Sequence, residues 1–139
     1  MNFQPTLYGF ILILERGQEV MSSLTRFAEE QNIRSGSITG IGAVEKTTMA
    51  YFDLTQKKYL PQEFPISMEL VSLSGNMALL NGKPFVHCHA VISGPDLVAH
   101  AGHLMKATIS ITGEIYITVM KNEIVRGPDE FSTLNLIKL

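Results

Sequence analysis

Cysteine is almost absent from this 139-residue chain: Cys88 stands alone, so no disulfide can form within one copy, and a reducing compartment suits it. Clustered positive charge is missing as well. The eleven lysines and arginines are scattered, Lys57-Lys58 is the one adjacent pair, and the formal net charge is −2. Duplex DNA is held mainly by neutralising its phosphates, so the chain lacks the basic stripe that a DNA-binding surface needs. Arg126-Gly127-Pro128 comes nearest to an AT-hook core, but no second arginine accompanies it and Asp129 and Glu130 would repel phosphate; the tripeptide reads as a turn. No apolar run reaches about 18 residues, so no membrane-spanning helix is expected. Met1-Asn2-Phe3-Gln4-Pro5 carries no base ahead of the first apolar stretch, which argues against a secretory signal and makes the cytoplasm the expected location.

What is present is a compact composition. Hydrophobic residues make up 45% of the chain and charged ones 17%, which is expected of a single folded domain over residues 1–139. There is no linker, repeat or low-complexity tract. Thr6 to Leu14 is apolar and β-prone, a strand expected to be buried on both faces. From Gly17 to about Asn32, Val20, Leu24, Phe27 and Ala28 recur at helical spacing opposite a polar face, predicting an amphipathic helix. Ile38 to Asp53 reads as strand, glycine-marked bend and strand, and Pro65 to Leu80 as two strands broken at Ser74-Gly75-Asn76. Gly36 to Gly42 lacks the Gly-Lys-Ser/Thr ending of a phosphate loop, so its glycines point to bulges or close backbone approach. From Ala107 to Met120 apolar and polar residues alternate, with Ile109, Ile111, Ile115, Ile117 and Val119 on the expected core face. The sum is an α+β fold: a largely antiparallel sheet of about seven strands with one long helix packed on it.

The chemistry concentrates in one block. Pro84 to Ile92 has the composition of a strand, and side chains two apart on a strand share a face, so His87 and His89 point one way and Cys88 the other. Ser93-Gly94-Pro95-Asp96 is turn chemistry, after which the chain returns past His100 and His103. A loop of Gly94 to Asp96 would set His103 across from His87. A loop one residue longer, Ser93 to Asp96, would set His100 across from His89. Either pairing brings Cβ atoms within roughly 4.5–5.5 Å, close enough to share an ion. Three neutral imidazoles with one open position suit zinc. Cys88 reads as a small buried core residue, although sulfur is a good zinc ligand. Glu114 is the one carboxylate on the polar face of Ala107 to Met120. It is either a solvated strand residue or, if that face lines the histidine site, a proton acceptor there.

The combination of His87-Cys88-His89, Ala101-Gly102-His103-Leu104, the glycine-rich Gly36 to Val44 and Tyr51-Phe52-Asp53 resembles the plants-and-prokaryotes-conserved (PPC) domain, over roughly Tyr8 to Val119. Ala101 stands where that family usually has glycine. The resemblance implies His87, His89 and His103 as zinc ligands, leaves His100 outside the motif, is compatible with a glutamate at Glu114, and implies a homotrimer. The domain is also distantly similar to acetolactate decarboxylase, another β-rich protein with a three-histidine zinc. Three functions are therefore carried forward: a metal-dependent enzyme of lyase or hydrolase type that binds a small anionic or carbonyl ligand, a DNA-associated regulator, and a trimeric scaffold with a structural ion.

Overall fold

Segments rich in β-branched and aromatic residues build most of the molecule. The computed structural model describes residues 1–139 as nine strands and one helix: β1 (Asn2–Thr6), β2 (Gly9–Glu15), α1 (Val20–Glu30), β3 (Gly36–Asp53), β4 (Lys58–Phe64), β5 (Met68–Leu80), β6 (Lys83–Ser93), β7 (Ala99–Val119), β8 (Val125–Pro128) and β9 (Asn135–Lys138). The fold is mostly sheet with one short helix, which corrects the expectation of about seven strands and a long helix. The helix has eleven residues, three turns, and both ends are fixed by identifiable contacts. Ahead of it, Gly17 turns at φ 85° and donates its N–H to the Ile109 carbonyl at 2.8 Å, and Glu19 bridges Thr108. The Glu19 carboxylate then caps the helix, accepting from the backbone of Met21 at 3.0 Å and Ser22 at 2.6 Å. At the far end Asn32 adopts φ 51°, a left-handed conformation that stops the helix at Glu30.

The additional strands arise where the sequence signal is weak. Thr6 to Leu14 is not one strand but a hairpin, with Leu7 and Tyr8 exposed at its tip and Thr6 paired with Gly9. Pro5 is accommodated because β1 is an edge strand. Arg126-Gly127-Pro128 is not a turn but part of β8, which lies parallel to β5 through Leu79 and Val125 and antiparallel to β9. Ser74-Gly75-Asn76 breaks nothing; β5 runs through it as a continuous strand of thirteen residues.

Sheet pairing is otherwise antiparallel, in the order β1-β2-β7-β3-β5-β8-β9, with β4 on β3 and β6 joined to both β5 and β7. Because β3 pairs with β7 and β5, β5 with β6, and β6 with β7, four strands close into a ring. Bulges let the long strands bend. Between Val44↔Ile109 and Gly42↔Gly113, β3 advances two residues while β7 advances four. The extra residues swing Ile111 outward to 70% exposure, against its expected place on the core face. Gly42 sits at this irregularity, where a Cβ would lie 2.2 Å from the Thr112 carbonyl oxygen, so the expected close approach is present.

The helix packs on β6 and β7, burying Val20, Ser23, Leu24, Phe27 and Ala28. Phe27 is completely buried and meets Phe3 and Phe10 edge-to-face at centroid distances of 5.1 and 5.2 Å. Cys88 and Ile92 of β6 belong to the same apolar cluster. One face of β6 is thereby anchored in the core, and the other is free to carry polar side chains.

Candidate metal centre

Alternation along β6 puts Val86, Cys88 and Ala90 in the core and leaves His87 and His89 on the opposite face. The β6–β7 connection runs from Gly94 to Val98, two residues longer than the odd loop considered from sequence. His103 therefore faces His89 rather than His87, and His100 faces Ile92 rather than His89. A two-residue change keeps the parity of the pleat, so His103 still projects on the same side as the other two. The ring centroids of His87, His89 and His103 lie 4.9–5.5 Å apart, and Nε2 of His87 is 3.1 Å from Nδ1 of His103.

One nitrogen from each ring falls within 4.8 Å of the others, an arrangement that can hold a metal ion. Tetrahedral zinc with Zn–N of about 2.0–2.1 Å needs nitrogens a little over 3 Å apart, so the rings have to close by at most about 1.5 Å to hold it. The protonation state also fits. Burial lowers His87 to a pKa of about 4, with further lowering by His103, Arg126 and His89. Burial and then His89 lower His103. Neutral imidazole is the form that donates to a metal.

Three side chains that the sequence did not single out support these rings. Tyr59 of β4 stacks on His103, centroids 4.6 Å apart and planes 25° from parallel. Burial raises its phenol above the ordinary range, partly countered by Arg126. Arg126 of β8 places Nη2 3.4 Å from Nδ1 of His87, donates from the same nitrogen to Oδ1 of Asn76 at 2.7 Å, and lies over the Phe85 ring. Asn76 faces His87 across the β5–β6 pair. Tyr59 and Asn76 carry no local signal, since each reaches the site through a pairing with a distant segment. The only pointer to Arg126 was the tripeptide set aside as a turn.

A cavity of about 600 Å³ opens in front of the three histidines, walled by apolar and aromatic residues including Met49, Phe52, Tyr59 and Phe64, and none of its lining residues is acidic. His100 lines it too, but against Phe64, with centroids 4.9 Å apart, and outside the three-nitrogen group. Cys88 is fully buried on the other side of β6, its thiol pushed up to about 12 by burial. Glu114 is not brought to the cavity. It is exposed, paired with Ile41 of β3 and Ile13 of β2, and borders a surface groove with Thr39 and Tyr116.

The family model described as the Plants and Prokaryotes Conserved (PCC) domain matches residues 1–121. No curated protein matches the chain. Among solved structures, a candidate DNA-binding protein from Bacteroides thetaiotaomicron is 29% identical with a TM-score of 0.95, covering 99% of this chain and 96% of its own. A plant- and prokaryote-conserved protein from Pyrococcus horikoshii is 26% identical with a TM-score of 0.88, over 99% and 96%. A metal-containing protein from Archaeoglobus fulgidus is 30% identical with a TM-score of 0.85, over 98% and 97%.

Proposed function

This chain belongs to the Plants and Prokaryotes Conserved domain family, and from that premise we propose that it is a zinc protein that binds a small anionic or carbonyl compound, and acts on it, at His87, His89 and His103. The observation that carries this reading is the convergence of three imidazole nitrogens within 4.8 Å at the wall of an open cavity. The metal-containing relative from Archaeoglobus fulgidus supports it. A saturated site would need a fourth side-chain ligand, and neither Cys88 nor His100 nor Glu114 belongs to the group. Zinc held there would supply Lewis acidity for polarising a carbonyl or acidifying a water molecule, the chemistry of lyases and hydrolases.

The remaining work falls to the chain's own groups. Stacking of Tyr59 fixes the His103 ring plane, and burial keeps His87 and His103 neutral at physiological pH. Phe52, Phe64 and Met49 give the cavity an apolar wall against which the body of a small ligand can pack. We assign Glu114 no step from within one copy, because it borders a different groove. Zinc content by elemental analysis tests the reading: about one ion per chain in the purified protein, lost in His87→Ala and in His103→Ala. Undiminished zinc in both variants refutes it.

A homotrimer fits the exposed apolar residues of the outer sheet, Ile41, Val71 and Ile111, which border one groove and lack a cover in a single copy. Light scattering coupled to size exclusion reads the mass directly, and a monomer at micromolar concentration contradicts the trimer. The competing reading is a DNA-associated regulator, favoured by the description of the Bacteroides relative. Scattered bases and a net charge of −2 oppose it. Fluorescence anisotropy with mixed-sequence duplex at about 150 mM salt should show no submicromolar binding; tight binding with a steep salt slope reverses the ranking.

A further inference from the structure

Arg126 lies outside the region that the family model matches, and β8 delivers it to the back of His87. Its surroundings are neutral. Nη2 donates to the Asn76 side chain at 2.7 Å, Nη1 donates to the Asn135 carbonyl at 2.8 Å, and the Phe85 ring lies 5.2 Å from the guanidinium carbon. Nε is buried with no hydrogen-bond partner. The ion pairs of the molecule join Met1 to Glu15, Arg26 to Glu30 and Arg34 to Glu123, so no carboxylate balances Arg126. Neither does the cavity supply one, since Asp and Glu are absent from its lining.

A partly buried guanidinium without a counter-ion is costly unless something negative arrives to meet its field. Three neutral histidines beside it cannot do so, and a divalent ion between them would add charge of the same sign. Arg126 does not line the cavity but stands behind His87, so excess positive potential lies at the histidine end of a cavity whose walls are mostly apolar and aromatic. Phosphate groups are usually met by several backbone N–H groups or by more than one base. A single guanidinium over apolar walls matches a single carboxylate carried on an apolar body.

We propose that Arg126 makes this site selective for small organic carboxylates, by supplying the uncompensated charge that distinguishes an anion from its neutral isostere. This specificity rests on the metal-centre reading for its second point of attachment but not for its charge preference. The Arg126 guanidinium need not touch the ligand, because it lies against the rear of the His87 ring, 3.4 Å from Nδ1, and its field acts across that ring. The C-terminal hairpin β8–β9 is then part of the site rather than an appendage to it, with Leu134 ahead of β9 forming part of the cavity wall.

The test compares benzoate with benzamide, which has nearly the same shape and no charge, by calorimetric titration of the full-length protein with and without zinc. We expect metal-free protein to prefer benzoate by at least about tenfold, and Arg126→Gln to remove most of that preference while leaving benzamide affinity unchanged; zinc, which adds charge of the same sign, should raise the preference in both proteins. Arg126→Lys, which keeps the charge, should retain most of it. Should Arg126→Gln fail to fold, the wild-type protein still decides: raising salt to about 500 mM must weaken benzoate and spare benzamide. Equal affinity for the two probes, a preference untouched in Arg126→Gln, or tighter binding of inorganic phosphate than of benzoate overturns the proposal. If wild-type protein binds no zinc but metal-free protein still prefers benzoate and loses that preference in Arg126→Gln, the metal centre fails and the carboxylate selectivity stands.

Discussion

Replacing Gly75 with alanine should damage stability and metal binding together. Gly75 faces Cys88 across the β5–β6 pair. A Cβ built there would lie 2.3 Å from the His87 carbonyl oxygen, 2.6 Å from the Cys88 sulfur and 3.0 Å from the Cys88 Cα. Ordinary contact begins at 3.4 Å, so β6 must retreat by about 1 Å, and two of the three obstructing atoms are backbone that cannot rotate aside. Overpacking of this kind costs about 1–3 kcal/mol, and the smaller entropy of the unfolded alanine chain returns only about 0.4–1 kcal/mol. A net loss of about 2 kcal/mol is expected from urea unfolding followed by circular dichroism. The same retreat carries His87 away from His103, which β7 holds in place, so zinc affinity in a chelator competition should fall by at least about tenfold. Gly94→Ala serves as the control, since its Cβ would make ordinary contact with Met68 at 3.4 Å and Asp96 at 3.6 Å. A Gly75→Ala protein with unchanged unfolding midpoint and unchanged zinc affinity would refute the argument that a bare backbone there is what lets β6 seat its histidines.

Phe27→Ala should cost about 3–5 kcal/mol by the same urea assay, because a completely buried ring with two edge-to-face neighbours leaves a cavity that the helix cannot collapse; a loss below about 1 kcal/mol contradicts that. Metal-free protein should lose stability as pH falls from about 6.5 to about 4, because His87 binds its proton less readily when folded than when unfolded. The folded pKa is the lowered one, so the contribution is complete above 6.5 and disappears below 4, and His103 acts in the same direction. Discounted for the solvent that reaches a half-buried ring, the loss is about 1–2 kcal/mol, and a flat profile in the presence of a chelator would exclude it. Cys88, fully buried and with its thiol held protonated, should react with an aromatic disulfide reagent only as fast as the protein unfolds; prompt reaction of native protein counts against its place in the core.

The sharing of one face by His87 and His89 was legible in the residues themselves, while the choice of His103 over His100 turned on loop parity and came from the family resemblance. A strand alternates strictly, and either odd loop keeps His103 on the right side. Which residue faces which was not legible, since Leu97 and Val98 carry no mark that assigns them to the loop rather than to the strand. Helix length failed for a related reason. The apolar stripe from Val20 to Ala28 was visible, while the hydrogen bond from Gly17 to Ile109 that delays the helix start spans most of the chain. Ile111 misled because a bulge shifts the alternation, and the bulge depends on how β7 bends over β3. Tyr59, Asn76 and Arg126 reach the histidines through β4, β5 and β8. A residue whose role depends on a partner tens of positions away leaves no periodicity to find.

The closed ring of strands has a consequence for how the chain matures on the ribosome. Its long strand β7 is hydrogen-bonded to β2, β3 and β6, and it ends at Val119. Until that residue has been made, β2, β3 and β6 each lack the partner along one edge, although β1, β4 and β5 already pair with them. At about 5–20 residues per second the nascent chain spends seconds in this state, with strand edges open to each other's company or to chaperones. Pairing of β7 with β3 and β6 is thus the contact that both closes the ring and brings His103 to His87 and His89.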